Sequence, residues 1–145
     1  MSKVEDFLTK EEEQRIVASI QKAEKNTSGE IRVHIEKTCD KLPEERAQEV
    51  FYQLKMETTA AQNGVLFYVA VESKQFAIVG DVGIDKVVPA DFWESVKDAL
   101  ITEFKNENYL QGIVNGIEEC GLKLKTFFPY QSNDENELSD EISKG

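Results

Sequence analysis

Two aspartates, Asp81 and Asp85, close the stretch FAIVGDVGID, in which an apolar run breaks at Gly80 and a second glycine, Gly83, follows. If the strands on either side pair as their patterns suggest, Glu30 and Asn63 fall on the same sheet edge as these two acids. Three carboxylates and an amide oxygen in oxygen-only surroundings suit a hard cation, Ca2+ or Mg2+. An ion held there polarises a phosphoryl oxygen and activates water. Asp91 is a further candidate ligand, and Asn63, Gly80, Gly83 and Trp93 are the candidate binding residues around it. The same residues also make an ordinary turn. Glycine permits positive φ, and aspartate forms Asx-turns. The stretch is no nucleotide fingerprint: it has no third glycine in register, no direct passage into a helix and no GK[ST].

His34 is the lone histidine. It falls on the polar face of an expected half-exposed strand, and no Ser or Cys nucleophile is placed by spacing, so no catalytic residue is nominated. TSGE at 27–30 is not a phosphate cradle, because a strand follows it rather than a helix. Trp93, beside Phe92 and on a helix with Phe104, reads as core, with projection into a pocket near the aspartates as the other option. Cys39 and Cys120 form no CxxC pair and have no histidine at ligand spacing, so zinc is not indicated and buried, reduced thiols are expected.

The elements that must position these residues are legible from periodicity. Thr9 and Glu12 form a capping box ahead of Ile16, Ile20 and Ala23 at helical spacing. EIRVHIE at 30–36 alternates strictly, as a strand near a sheet edge does. Pro43 suits the first turn of a second helix, with Ala47, Val50, Phe51 and Leu54 as its buried stripe, running to about Glu57. VLFYVAV at 65–71 is apolar throughout, so it is central and covered on both faces. A short connection returns QFAIVG at 75–80 antiparallel. A third helix opens around Pro89 and Asp91, and a fourth, which Asn108 can cap, runs to Pro129. The strand-helix-strand order implies a right-handed parallel crossover. The expected fold is α/β: a three-layer α/β/α sandwich with a small mixed β-sheet.

The 145 residues suit a single domain over residues 1–130. The polar, aperiodic stretch 131–145 reads as a disordered acidic tail whose removal leaves stability unchanged. With 17 Lys and Arg against 28 Asp and Glu, the net charge is −11. That repels phosphate backbones, so nucleic acid is not an expected partner. There is no apolar h-region at the start and no membrane-length apolar run, so a cytoplasmic location without membrane insertion is expected.

Several blocks together resemble the TPM domain family over roughly residues 5–129. TSGEIRVHIE is similar to its first strand. NGVLFYVAVESKQFAIVGDVGID is similar to its Asn-Gly entry, hairpin and Gly-rich exit, and FKNENYLQGIVNGIEECG to its final helix. Gly80, Asp81, Gly83, Ile84, Val88, Pro89, Phe92 and Trp93 resemble a soluble bacterial branch. The resemblance implies an α/β/α sandwich. Some members are described as acid phosphatases with a divalent-cation site in acidic loops; others act in assembly or repair of membrane complexes. Where many members carry an Asp before the third helix, this chain has Ala90, with Asp91 next to it. Two functions follow as expectations: a non-catalytic, protein-binding role, or a divalent-cation-assisted phosphomonoesterase using Glu30, Asp81 and Asp85.

Overall fold

The computed structural model describes residues 8–130 and 138–144. Helix α1, Lys10–Glu24, begins with the capping box: the Thr9 hydroxyl accepts from Glu12 N–H, and the Glu12 carboxylate accepts from Thr9 N–H. Strand β1, Glu30–Glu36, leads to α2, Pro43–Gln53, with Pro43 in the first turn, where its missing N–H costs nothing. A 3-10 turn over Met56–Thr58 precedes β2, Gly64–Ala70, and the hairpin returns as β3, Gln75–Gly80. Helices α3 (Val82–Asp85), α4 (Glu94–Phe104) and α5 (Tyr109–Phe127) follow, and Ser143–Lys144 form β4.

The sheet order is β3-β2-β1-β4. β1 runs parallel to β2 and to β4, and β2 pairs antiparallel with β3. The side chains of Ile31, Val33, Ile35, Val65, Phe67 and Val69 join α1, α4 and α5 in the larger core. Leu66, Tyr68, Ala70 and Ala77 meet Ala47, Val50 and Phe51 of α2 on the other face. The fold is therefore the expected three-layer α/β/α sandwich around a mixed, open sheet.

Four local expectations give way. β1 is not half-exposed: Glu30, His34 and Glu36 are buried along with Ile31, Val33 and Ile35. Its polar face is closed by Arg46 of α2 at Glu36, by Ser143 at His34 and by Leu138 at Glu30, and β4 lies along its outer edge. The described part of the expected disordered tail, residues 138–144, is docked. Leu138 is buried in the α2 core, Ile142 packs on the α1 side, and Ser143 and Lys144 pair with β1. Residues 131–137 lie outside the described set. The second helix stops at Gln53, and the helix expected to open around Pro89 and Asp91 is α4, which begins only at Glu94. Finally, Cys120 is buried, as expected, but Cys39 is only half-buried.

Candidate functional site

GDVGID is not a plain turn, and it does enter a helix. Asp81 is the N-cap of the single-turn α3, its Oδ1 accepting from Val82 N–H at 2.7 Å. Its own N–H bonds Gly64 O at 3.0 Å, which ties the turn to the first residue of β2. Neither glycine is there for backbone freedom, since no described glycine has positive φ. Gly83 is required by contact. Its N–H donates to Gln62 O at 2.9 Å, and a Cβ would sit against Ala61 O and 2.5 Å from Gln62 O. Gly80 is required by Trp93, whose Cζ2 would lie 2.5 Å from a Cβ there. Trp93 is half-buried and edge-on to Phe92, with centroids 4.8 Å apart, so it packs over the end of β3.

The proposed ligand set divides. Asp81 is buried, its Oδ2 has no hydrogen-bond partner, and Asp85 lies close enough to feel its charge. Burial first, and the Asp81 charge second, raise the Asp85 carboxyl above its ordinary value. Glu30 is directed elsewhere: its Oε1 accepts from Leu138 N–H at 2.6 Å, and Glu24 is a neighbour. The Asn63 side chain donates to Ser28 Oγ at 3.4 Å. Asp91 is exposed in the turn before α4, where its carbonyl accepts from Glu94 N–H. Among the described residues no three His, Cys, Asp or Glu side chains form a group able to hold a metal ion. What remains at this end of the sheet is the Asp81–Asp85 pair, beside the exposed side chains of Val82 and Val87.

A second polar cluster at the opposite end of β1 was not anticipated. Glu36 accepts from Arg46 Nε at 3.1 and 3.0 Å through its two oxygens, and from the Tyr68 hydroxyl. His34 Nε2 lies 3.1 Å from Glu36 Oε1, and its ring stacks on Tyr68 at 5.9 Å. Burial alone would push the Glu36 carboxyl up, but bonds from Arg46, Tyr68 and His34 hold it at about 2. Burial lowers His34 below its ordinary value. With Glu36 ionised and His34 neutral, the network assigns Nε2–H as donor to Glu36, which leaves Nδ1 to accept from Ser143 Oγ, 2.9 Å away. A crevice of about 320 Å3 opens beside this cluster, walled by Lys37, Cys39, Lys41, Arg46 and Glu49. The signal for it was present: three polar residues share one face of β1, and a three-layer fold must bury that face with partners.

Among the described residues no helix is long and apolar enough to cross a membrane. A comparison with curated proteins finds no match. The solved structures similar to this chain include three NMR structures. The NMR structure of BA42 from the psychrophilic bacterium Bizionia argentinensis is 54% identical, with all of both chains covered and a TM-score of 0.93. The N-terminal domain of cg2496 from Corynebacterium glutamicum is 14% identical, at TM-score 0.64 over 95% of this chain and 81% of that one. The N-terminal domain of a P. gingivalis protein is 16% identical, at TM-score 0.68 over 88% and 83%; these two show the fold alone. The sequence model of the TPM domain matches residues 1–122, so the chain belongs to the TPM domain family.

Proposed function

We propose that this TPM domain is a non-catalytic recognition module for another protein. Its working surface is the α3 loop, and Ca2+ or Mg2+ held by Asp81 and Asp85 completes it. The observation behind this reading is the buried, unpartnered Oδ2 of Asp81 beside a second carboxylate. A carboxylate oxygen withdrawn from water without a donor is costly, and a nearby like charge adds to the cost. A cation answers both. Around the pair, Val82 and Val87 are 47% and 51% exposed, with Asp85 and Asp91 also exposed. Apolar side chains rimmed by acids suit a partner patch with basic residues around an apolar centre. The phosphomonoesterase reading would use the same ion, but it also needs an acid or base near it. His34 stands four residues along β1 from Glu30, about 13 Å at the usual strand rise, and is committed to Glu36 and Ser143.

The test is a calcium and magnesium titration followed by amide NMR, with sodium chloride at matched ionic strength as control, alongside p-nitrophenyl phosphate hydrolysis. The expected outcome is shifts confined to residues 61–64 and 80–91, with affinity on the order of millimolar, lost in the Asp81→Asn, Asp85→Asn double variant. Calcium and magnesium titrations indistinguishable from sodium would remove the cation. Cation-dependent hydrolysis abolished by the double variant would replace recognition with phosphatase chemistry.

A further inference from the structure

The C-terminal strap, residues 138–144, brings one hydroxyl into the buried cluster of β1. Ser143, half-buried on β4, lies with its Oγ 2.9 Å from His34 Nδ1. His34 Nε2 lies 3.1 Å from Glu36 Oε1, and Glu36 is itself fixed by Arg46 of α2 and by the Tyr68 hydroxyl of β2. A hydroxyl within reach of an imidazole, with that imidazole oriented by a carboxylate on its other nitrogen, is the arrangement that activates a serine. Either ring nitrogen can serve, because the unprotonated nitrogen of a neutral imidazole carries the same lone pair. The charged and titratable groups facing His34 are Glu36 and Arg32 from its own strand, Tyr68 from β2 and Arg46 from α2. Burial is the largest influence and lowers His34 below 6.5, so at neutral pH the ring is free to take a proton.

Arg32 supplies the second half of the site. It stands two residues before His34 on the same face of β1, about 6.6 Å away along the strand, and its charge acts on His34. Its Nε is buried with no hydrogen-bond partner, and it forms no ion pair among the described residues. A guanidinium left without an acceptor suits a phosphoryl oxygen. We propose that Ser143 is an acyl-acceptor site: its hydroxyl oxygen attacks the acyl carbon of an acyl phosphate, His34 takes the proton, and Arg32 holds the phosphate that leaves. The bond from Oγ to the acyl carbon forms as the bond from that carbon to the bridging phosphate oxygen breaks. The electron pair of the broken bond leaves with the phosphate. The proton passes from Oγ to Nδ1 and on to the phosphate, so His34 ends neutral and no further reactant is consumed. The product is one ester on Ser143 per chain, a modification without turnover. It goes beyond the recognition reading and is independent of the α3 cation.

The test incubates the full chain with acetyl phosphate and locates acetyl groups by peptide mass spectrometry. Ser139, an exposed serine of the same strap whose Oγ accepts from Glu141 N–H, is the internal control. Ser143 should acetylate on the order of a hundredfold faster than Ser139, the usual gain from a positioned general base. Its rate should level off above about pH 6.5, once His34 is neutral, while the lysines of the same sample keep climbing toward their pKa of about 10.4. His34→Gln should remove the advantage over Ser139; if that variant does not fold, the wild-type pH profile decides. Arg32→Met should slow acetyl phosphate by about tenfold or more and leave the rate with p-nitrophenyl acetate, a donor without a phosphoryl group, unchanged. Ser143 acetylated no faster than Ser139, a rate rising with pH in step with the lysines, wild-type reactivity in His34→Gln, or equal slowing of both donors by Arg32→Met would each overturn the proposal.

Discussion

Replacing Gly83 with alanine tests whether the α3 loop is held by contact rather than by conformational freedom. The backbone at Gly83 is helical, so alanine meets no φ penalty, and helix propensity alone would favour it by about 0.5–1 kcal/mol. Against this, the new Cβ would stand 2.5 Å from Gln62 O and 3.0 Å from Gln62 C, with Ala61 O also in the way. These are backbone atoms that cannot rotate aside. Gln62 itself is held at φ 51, and Asn63, next to it, is buried. Forced overpacking costs about 1–3 kcal/mol, and losing the Gly83 N–H to Gln62 bond adds about 1 kcal/mol. The net expectation is a destabilisation of about 2–3 kcal/mol. At this chain length that is roughly 5–9 °C in Tm, read by urea denaturation and thermal melts followed by far-UV circular dichroism. Gly80→Ala should cost less, because the obstructing group is the Trp93 side chain, which has rotamers available. A Gly83→Ala protein within about 0.5 kcal/mol of wild type would refute the close approach of α3 to residues 61–62 and, with it, the fixed geometry of the Asp81–Asp85 pair.

Two further outcomes follow from the rest of the structure. Glu36 is held at about 2 when folded, against 4.5 unfolded, so its contribution is fully present above pH 4.5 and is lost as pH falls toward 2. Arg46→Met should destabilise by about 2–3 kcal/mol at pH 7, since Glu36 stays buried with its cation removed, and a pH series of melts should show a flatter acid arm than the wild type. A chain ending at Tyr130 loses the seats of Leu138 and Ile142, and should melt about 3–6 °C lower for about 1–2 kcal/mol of burial net of ordering; an unchanged Tm would return residues 138–144 to the status of a passive tail.

Most of the fold was readable from local pattern. Unbroken apolarity at 65–70 placed β2 in the centre, where every residue is buried. The capping box and the Pro43 start placed two helices because these are contacts within one turn of chain. The hairpin and the parallel crossover followed from connection length and handedness. The misses share a cause. Alternation in EIRVHIE was read as one dry and one wet face, but alternation reports polarity and not exposure. Arg46 from α2 and Tyr68 from β2 supply the partners that let Glu36 and His34 be buried.

The candidate site divides along the same line. The residue types of GDVGID allowed a cation site or an ordinary turn with no direct passage into a helix, whereas Asp81 caps the single-turn α3. The glycines were read for φ, a property of one residue, whereas what requires glycine is the Ala61 and Gln62 carbonyls and the Trp93 ring, all brought there by folding. Glu30 looked like a third ligand because strand order puts it at the same edge; only the strap, arriving from more than a hundred residues away, shows that its carboxylate serves Leu138 instead. A polar, acidic C-terminal segment carries too little periodicity to announce a docking strand, since two apolar residues, Leu138 and Ile142, are enough once each finds a different layer of a preformed core. The sequence by itself therefore determined the elements, their order and the sandwich, because those rest on contacts between near neighbours and on the period of apolar residues. The tertiary structure alone decided which polar residues are buried, that one oxygen of Asp81 stands without a donor and where residues 138–144 are held, because each of those depends on partners that only long-range packing brings within hydrogen-bond reach.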